Sequence, residues 1–219
     1  MSCYTKGMKI SAPRLPVKLE EVEPKVMMDE LSLEDASIAD VDLTSQVISA
    51  LDISGGLFQN VILTGAQFER LNARDFVAKQ SDFSAGSLTN SSLNRAEFKN
   101  CRMTGVDFSR TTLHDVSFHG CKLDMANFRF ADLARVQFVD CTLSETDFLG
   151  AGLRDVSMQA CTLQKTVFEQ AKCKQLDLRT SHLEEIIGWK SLKGAIIDDL
   201  QLVSAGPYLA HELGIVVRP

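Results

Sequence analysis

The 219-residue sequence lacks the features that mark several common classes of protein. Its apolar runs are only a few residues long, so no segment is predicted to span a membrane. The first 30 residues contain no continuous apolar stretch of the kind found in secretory signals. We therefore expect a cytoplasmic protein whose six cysteines are free thiols. The net charge of -6 disfavours a general nucleic-acid-binding surface, so direct nucleic-acid binding is not expected.

Recognisable catalytic motifs are also missing from the sequence. It contains no nucleophile elbow, no phosphate-binding P-loop and no glycine-rich dinucleotide loop. The histidines share no spacing typical of metal ligands, and we expect them to be solvated; they are His114, His119, His182 and His211. The sequence therefore predicts a protein that is not an enzyme, with no catalytic residue, no cofactor and no metal.

What the sequence does contain is a repeat of five residues. Steps of five from Leu33 to Leu183 reach 31 positions, and 28 of them are Leu, Ile, Phe or Met; the exceptions are Ala73, Ala78 and Cys173. The residue two places before each large one is usually small, and Asp or Asn often precedes the large one directly. Neither an amphipathic helix nor a long half-buried strand has this period. The pattern predicts short strand-like edges joined by polar corners.

A second period of twenty residues indicates how many edges make one coil. A cysteine recurs at this interval, and if each twentieth residue lies above its predecessor, a coil has four edges of five residues. Parallel edges then stack about 4.8 Å apart to satisfy their backbone groups. The predicted inward columns are Cys101, Cys121, Cys141 and Cys161; Val116, Val136 and Val156; Phe108, Phe128, Phe148 and Phe168; and, opposite the phenylalanines, Leu113, Leu133 and Leu153.

Three details of the repeat carry expectations of their own. Residues 71–80 are its weak part, because Ala73 and Ala78 occupy large positions while Phe76 occupies a small one; a bulge or a compensated frame slip is expected there. The spaced cysteines could suggest a metal site or disulfides, but parallel side chains in one dry column favour simple packing. The aspartates before the large residues are predicted to accept turn hydrogen bonds from nearby backbone.

The residues also resemble a known family. Segments such as "ANFRF", "ADLAR" and "TDFLG" look like the pentapeptide-repeat proteins, and the resemblance covers residues 31–185. It implies an all-β fold, a right-handed quadrilateral parallel β-helix. The best-understood members bind DNA gyrase or topoisomerase IV, imitate DNA, and protect against quinolones or related toxins. The inserted loops of some of those members are absent from this five-residue frame.

The chain is predicted to divide into three segments. Residues 1–30 form an extended arm, residues 31–185 form nearly eight coils, and residues 186–219 form a cap. The end of the chain is similar to the family's tail, which implies a closing edge, a short helix and often a dimer. Pro207 is predicted in the first turn of that helix and Gly214 at its end. The candidate interface of a homodimer consists of Ile196, Ile197, Leu202, Tyr208, Leu209 and Leu213.

Surface charge supplies the remaining functional signal. Residues 31–69 hold six acidic residues and no Lys or Arg, whereas the other segments are balanced. Glu34, Asp35 and Asp52 are expected to share one outward face, and they are the candidate partner-binding residues. Two functional hypotheses remain open: a DNA mimic that binds gyrase or topoisomerase IV, and a scaffold that presents its faces to an unrelated protein.

Overall fold

Neighbouring coils pair at a constant offset of twenty residues. In the computed structural model, which describes residues 9–23, 32–216 and 218, the strand containing Leu133 runs parallel to those containing Leu113 and Leu153. The same offset recurs along the chain and produces about eight coils. The predicted fold class, a parallel β-helix with four faces per coil, is therefore confirmed.

The strands lie unevenly on the four faces. Those of the described residues are β1 (Glu20–Glu21), β2 (Ser32–Glu34), β3 (Ala36–Ala39), β4 (Val47–Ile48), β5 (Leu51–Gln59), β6 (Gln67–Phe68), β7 (Leu71–Lys79), β8 (Ser92–Lys99), β9 (Thr112–His119), β10 (Asp132–Val139), β11 (Gly152–Gln159), β12 (Thr162–Gln164), β13 (Lys172–Asp177) and β14 (His182–Glu184). A ten-stranded sheet runs in the order β1-β3-β5-β7-β8-β9-β10-β11-β13, with β2 beside β5, and follows two adjacent faces. Two-stranded sheets and isolated parallel bridges form the other two.

Each corner of the coil is a residue with left-handed backbone. Positive φ angles recur at every fifth position from Asp35 to Glu185, except at Ala50 and Arg70. About half of these corners are Gly, Asn or Asp, the residues that adopt this conformation most readily. The sequence analysis did not identify this position. The predicted turn hydrogen bonds are confirmed at several positions: the Ser109 amide, for example, donates to Asp107 Oδ1 at 2.8 Å, whereas Asp52 accepts from the Asn72 side chain instead.

The interior consists of stacked columns of similar, and often identical, apolar side chains. Of the 31 positions in the five-residue frame, all but Cys173 are buried. Phe128 is fully buried between Phe108 and Phe148, with ring centroids 4.9 and 5.0 Å apart, as predicted. The expectation that leucines lie opposite this column was wrong. Ten residues are half a coil, so Phe118 lies opposite Phe108, and the two rings meet edge to face at 6.2 Å.

The predicted irregularity at residues 71–80 was also wrong. Strand β7 keeps the twenty-residue register with β5 and β8 and contains no bulge. The side chains exchange sizes instead: Phe76 places its ring 5.0 Å from Phe58 and 5.9 Å from Phe98, in the space that Ala78 leaves empty. Gly56 in the preceding coil makes room, because a Cβ there would overlap Ile53 Cγ2 and lie 3.2 Å from the Phe76 ring. Local volume is conserved, so the backbone is undisturbed.

The cysteine column is a buried part of the core. Cys101, Cys121, Cys141 and Cys161 are free and at most 2% exposed. Their thiols lie within hydrogen-bonding distance of backbone carbonyl oxygens; Cys121 Sγ, for example, is 3.4 Å from the Phe98 carbonyl oxygen. Ser81 and Ser181 continue the column at its two ends, and their hydroxyls donate to carbonyls in the same way. Cysteine and serine thus fill the same column, and both place a side-chain donor next to a backbone carbonyl.

The C-terminal helix begins earlier than predicted. Helix α1 (Asp199–Glu212) follows a short 3-10 helix (Trp189–Leu192), and Pro207 lies inside it. The start is fixed by a capping box between Asp198 and Gln201, which satisfies the first free amides of the helix more effectively than Pro207 could. The predicted end is correct: Gly214 adopts a positive φ, and its amide donates to the His211 carbonyl.

Helix α1 is attached to the last coil by a buried polar side chain. Gln201 Nε2 donates to the carbonyls of Leu178 and Ser181, both at 2.6 Å. Ala205, one turn further along, is the other buried residue of the helix. No helix in the described part of the chain is long and apolar enough to cross a membrane.

Candidate partner-binding surfaces

The corner between the two main faces carries a ladder of alternating acidic and basic side chains. Positions twenty residues apart stack there, which brings together Asp75, Arg95, Asp115, Arg135 and Asp155. Arg95 forms two hydrogen bonds with Asp75, at 2.6 and 2.5 Å. Arg135 binds Asp115 in the same bidentate manner, at 2.8 and 2.7 Å. We call this set the corner ladder.

The arginines keep the ladder carboxylates ionised. Hydrogen bonds from Arg95 and Arg135 hold the pKa of Asp75 and of Asp115 below the ordinary range, although partial burial opposes the shift. His114 joins this group: its ring nitrogens lie 3.1 Å from Asn94 Nδ2 and 2.5 Å from Arg135 Nη2. The expectation of a solvated histidine therefore holds only in part at this position, because the side chain is 37% exposed and also contacts Asn94 and Arg135.

The arm lies along the corner ladder. The Ser11 amide donates to Asp115 Oδ1 at 3.1 Å, and the Arg14 amide donates to Asp75 Oδ1 at 2.9 Å. Further along, Glu20–Glu21 form β1 and pair with β3 of the first coil. Of the predicted arm, residues 1–8 and 24–30 lie outside the described residues. Sequence periodicity gave no signal for these contacts, because the arm has no repeat.

The three candidate acidic residues are exposed near the N-terminal end of the coils. Glu34 and Asp52 line a shallow depression of about 560 Å³ on one face, together with Asn72 and Arg74. Asp52 accepts a hydrogen bond from Asn72 Nδ2 at 2.7 Å. Asp35 occupies the adjoining corner, with a φ of 48°. The structure thus brings Glu34 and Asp52 onto one face and places Asp35 at its edge.

The fold adds acidic residues that the sequence analysis did not include. Strand β1 places Glu20 opposite Ala36 and Glu21 opposite Ser37, directly beside the first coil. The Glu20 amide donates to the carbonyl of Asp35 at 2.8 Å, so the two residues are immediate neighbours. The N-terminal segment is balanced in charge as a sequence, but Glu20 and Glu21 lie beside the acidic coils. We call this surface, formed by Glu20, Glu21, Glu34, Asp35 and Asp52, the acidic end.

The opposite end exposes apolar side chains. Among the six candidate interface residues, Leu202, Tyr208 and Leu213 are exposed, whereas Ile196, Ile197 and Leu209 are half-buried. Ile196 is part of the coil, since its carbonyl accepts from the Leu178 amide at 2.9 Å. Further exposed apolar residues are Leu200, which the sequence also offers for this surface, and Val203, Ile215 and Val216, which it did not single out.

The described residues contain neither a metal-binding cluster nor an activated thiol. No group of three or more His, Cys, Asp or Glu side chains among them could hold a metal ion. Cys173 is the half-buried thiol, and burial raises its pKa to about 11, which disfavours the reactive thiolate. Charged side chains instead pair with neighbours one coil away, as Arg102 does with Asp82 at 3.4 Å.

Comparisons with known proteins agree with this architecture. A family model described as "Pentapeptide repeat region" matches residues 56–128 and 111–187, together more than half of the chain. No curated protein matches the chain.

Similar solved structures include three pentapeptide-repeat proteins at low identity. HetL, involved in heterocyst differentiation regulation in the cyanobacterium Nostoc, is 20% identical with a TM-score of 0.43, covering 77% of this chain and 90% of that one. A trypsin-treated QnrB1, a plasmid-mediated fluoroquinolone resistance protein, is 21% identical with a TM-score of 0.40, covering 90% and 95%. Rfr23 from the cyanobacterium Cyanothece is 13% identical with a TM-score of 0.37, covering 80% and 96%.

Proposed function

The chain belongs to the pentapeptide-repeat family, and on that premise we propose that it is a non-catalytic, cytoplasmic protein that binds another protein through the ends of a rigid solenoid. The observation that carries this proposal is the contrast between sides and ends. Along the sides, acidic and basic residues are balanced in number and several of them pair across coils, as in the corner ladder. At the ends, an acidic surface and an apolar surface remain exposed.

The specific partner we propose for the acidic end is a type II topoisomerase, DNA gyrase or topoisomerase IV. Such an enzyme binds DNA through cationic surfaces, and a compact group of carboxylates can compete for them. Glu34, Asp35 and Asp52 supply that group on the first two coils, and β1 adds Glu20 and Glu21 beside them. A bound protein of this kind would alter supercoiling or the sensitivity of the enzyme to its inhibitors.

Charge reversal tests this partner. We expect wild-type protein to inhibit or protect gyrase supercoiling at low salt, and the effect to disappear when Glu34, Asp35 and Asp52 are replaced by Lys. All three side chains are exposed, so the coil should stay folded. The matched control replaces three exposed acids elsewhere, Asp140, Glu145 and Glu169, with the same change in net charge.

The control variant should retain the effect, because its acidic end is intact. Loss of activity in both variants would indicate net charge rather than a localised surface. If wild-type protein neither binds gyrase or topoisomerase IV nor changes their activity, the topoisomerase proposal is wrong. The alternative would then be a scaffold for an unrelated protein, which the charge balance of the coils beyond residue 69 favours over an extended imitation of DNA.

We also propose a homodimer through the C-terminal end. Leu200 is 81% exposed and Val203 is 77% exposed, so α1 presents more apolar surface than a solvated helix needs. Replacing both with Asp should convert dimers to monomers in sedimentation velocity, with unchanged circular dichroism. Replacing exposed Lys174 and Arg154 with Asp on the side of the coils should leave the dimer intact. A wild-type protein that sediments as a monomer would refute this proposal.

A further inference from the structure

Two different sets of contacts hold the arm against the solenoid. Residues 9–14, which we call its upper part, are bound by the corner ladder through the amides of Ser11 and Arg14. Its lower part is bound by the sheet edge, where the amides of Glu20 and Val22 donate to the carbonyls of Asp35 and Ser37 at 2.8 and 3.0 Å. Between the two sets, Val17 is fully exposed. The arm is therefore held at two separate places, with a loosely packed connection.

The upper contacts match the geometry of an extended chain. Asp115 and Asp75 are two coils apart, or about 9.6 Å at the spacing of parallel strands. Ser11 and Arg14 are three residues apart, or about 10 Å in an extended chain. The acceptors are ionised and fixed by Arg95 and Arg135, so each amide meets a preorganised carboxylate. The outward-facing Val77, two residues beyond Asp75, is buried, as expected beneath a segment on this side.

Charge complementarity differs between the two parts of the arm. The upper part carries Lys9 and Arg14 and lies near carboxylates, and Arg14 contributes to the lowered pKa of Asp75. The lower part carries glutamates and lies against an acidic surface: Glu20 is hydrogen-bonded to the backbone of Asp35, with Glu34 next to it. The residues opposite Glu20 and Glu21 are the uncharged Ala36 and Ser37, so the two glutamates gain no ion pair from the strand that they cover. The strand that covers the first coil thus adds negative charge beside Glu34 and Asp35 without a compensating cation on β3.

An uncovered first coil would present an open sheet edge. Strand β3 pairs with β5 on one side and with β1 on the other. Without β1, the carbonyls of Asp35 and Ser37 would lack partners, and an unpaired edge is a template for an added strand. Because the edge is bordered by Glu34 and Asp35, an extended segment carrying Lys or Arg would pair with more favourable charge than the resident glutamates do.

We propose that the β3 edge is a binding site for an extended basic segment of a partner protein, and that β1 occupies this site until it is displaced. The partner segment adds to the sheet as a strand, so main-chain hydrogen bonds provide affinity and the acidic end selects for basic side chains. The corner ladder sets how strongly β1 competes, because anchoring at Asp75 and Asp115 keeps β1 at high effective concentration near its edge. This inference rests on the proposed function of the acidic end as a protein-binding surface, but it does not depend on a topoisomerase.

A synthetic peptide provides a direct test on the full-length protein. The probe is a seven-residue peptide of alternating Lys and Val; the controls are the same peptide with N-methylated amides on its pairing edge, and a peptide of alternating Glu and Val. We expect saturable binding of the first peptide alone, together with faster hydrogen exchange of the Glu20 and Val22 amides, which lose their acceptors when β1 is displaced. Equal binding of the N-methylated peptide would overturn the proposal, because ordinary charge attraction would then explain the affinity.

Variants of the arm and ladder test the competition. Replacing Asp75 and Asp115 with Asn should tighten peptide binding by about tenfold, since each loses a charge-assisted hydrogen bond to the arm. Asp155→Asn is the control, because Asp155 belongs to the same ladder and makes no hydrogen bond to the described part of the arm. Tightening with the control but not with the double variant would overturn the role of the ladder.

A second pair of variants keeps the test informative if the ladder variants fold poorly. Glu20→Pro removes the amide that donates to Asp35, and it should also tighten peptide binding. Glu21→Pro is the matched control, because the Glu21 amide alternates to the other side of the strand. If Glu20→Pro leaves peptide affinity unchanged, β1 does not compete for the edge and the proposal is wrong. If no variant binds the peptide, the proposed site does not exist. That result would leave the topoisomerase proposal open, because the supercoiling assay tests it separately.

Discussion

In the central coils, many inward side chains stack on the same residue type in the coils on either side. The two ends are instead held by contacts that each occur only once. Phe128 stacks between Phe108 and Phe148 at nearly equal distances. By contrast, Gln201 attaches α1 to the last coil through two carbonyls, and Arg14 attaches the arm through one carboxylate. Repetition therefore builds the middle of the molecule, and single specific contacts build its ends. The exposed surfaces are found where repetition stops.

The largest expected difference between the regions concerns burial. Phe128→Ala should lower the free energy of unfolding by about 3–5 kcal/mol, because it leaves a cavity in a fully buried column. Val203→Ala on α1 should change it by less than about 0.5 kcal/mol, since Val203 is 77% exposed. Chemical denaturation of both variants makes the comparison. A loss below about 1 kcal/mol for Phe128→Ala would contradict the column arrangement.

A smaller quantity, the coupling energy between Phe76 and Ala78, tests whether an exchange of side-chain sizes within one coil preserves the packing. Phe76→Ala should destabilise by about 3–5 kcal/mol, and Ala78→Phe should destabilise by about 1–3 kcal/mol through overpacking. The double variant returns the ring to the position between Phe58 and Phe98, so it should be more stable than the sum of the two changes predicts. A double-mutant cycle measures this coupling. Additive effects would indicate that the two positions do not share one volume.

The smallest effect concerns the corner ladder that joins the arm to the coils. The pKa of Asp75 and of Asp115 is lowered in the folded protein, so their contribution to stability is present above the ordinary carboxyl pKa of about 3.9. It is lost as the pH falls through the lowered values. The melting temperature of wild type should therefore fall more steeply with decreasing pH than that of the Asp75→Asn, Asp115→Asn double variant. Parallel acid profiles would show that the ladder does not contribute.

The position of the acidic end could be predicted from the sequence, but the full set of residues that form it could not. Glu34 and Asp52 follow the five-residue frame, so their outward position was predictable. Glu20 and Glu21 lie outside the frame, and their contact with the first coil depends on pairing between β1 and β3. The exposed face of α1 was only partly predicted, because Pro207 is an expected first-turn residue. The Asp198–Gln201 capping box, which starts the helix earlier, is a short local motif outside the five-residue repeat.

The amino-acid sequence by itself determined the coil: a large apolar residue every five positions and a return every twenty fix which side chains point inward and which residues stack. That information is local and repeated, so a single exception such as Phe76 does not change the register. Tertiary structure alone decided the position of the arm, the neighbours of its glutamates and the attachment of α1. These contacts join segments far apart in the chain, such as Ser11 and Asp115, and each occurs once. A contact that occurs once has no period, so it depends on where the finished coils place its acceptors.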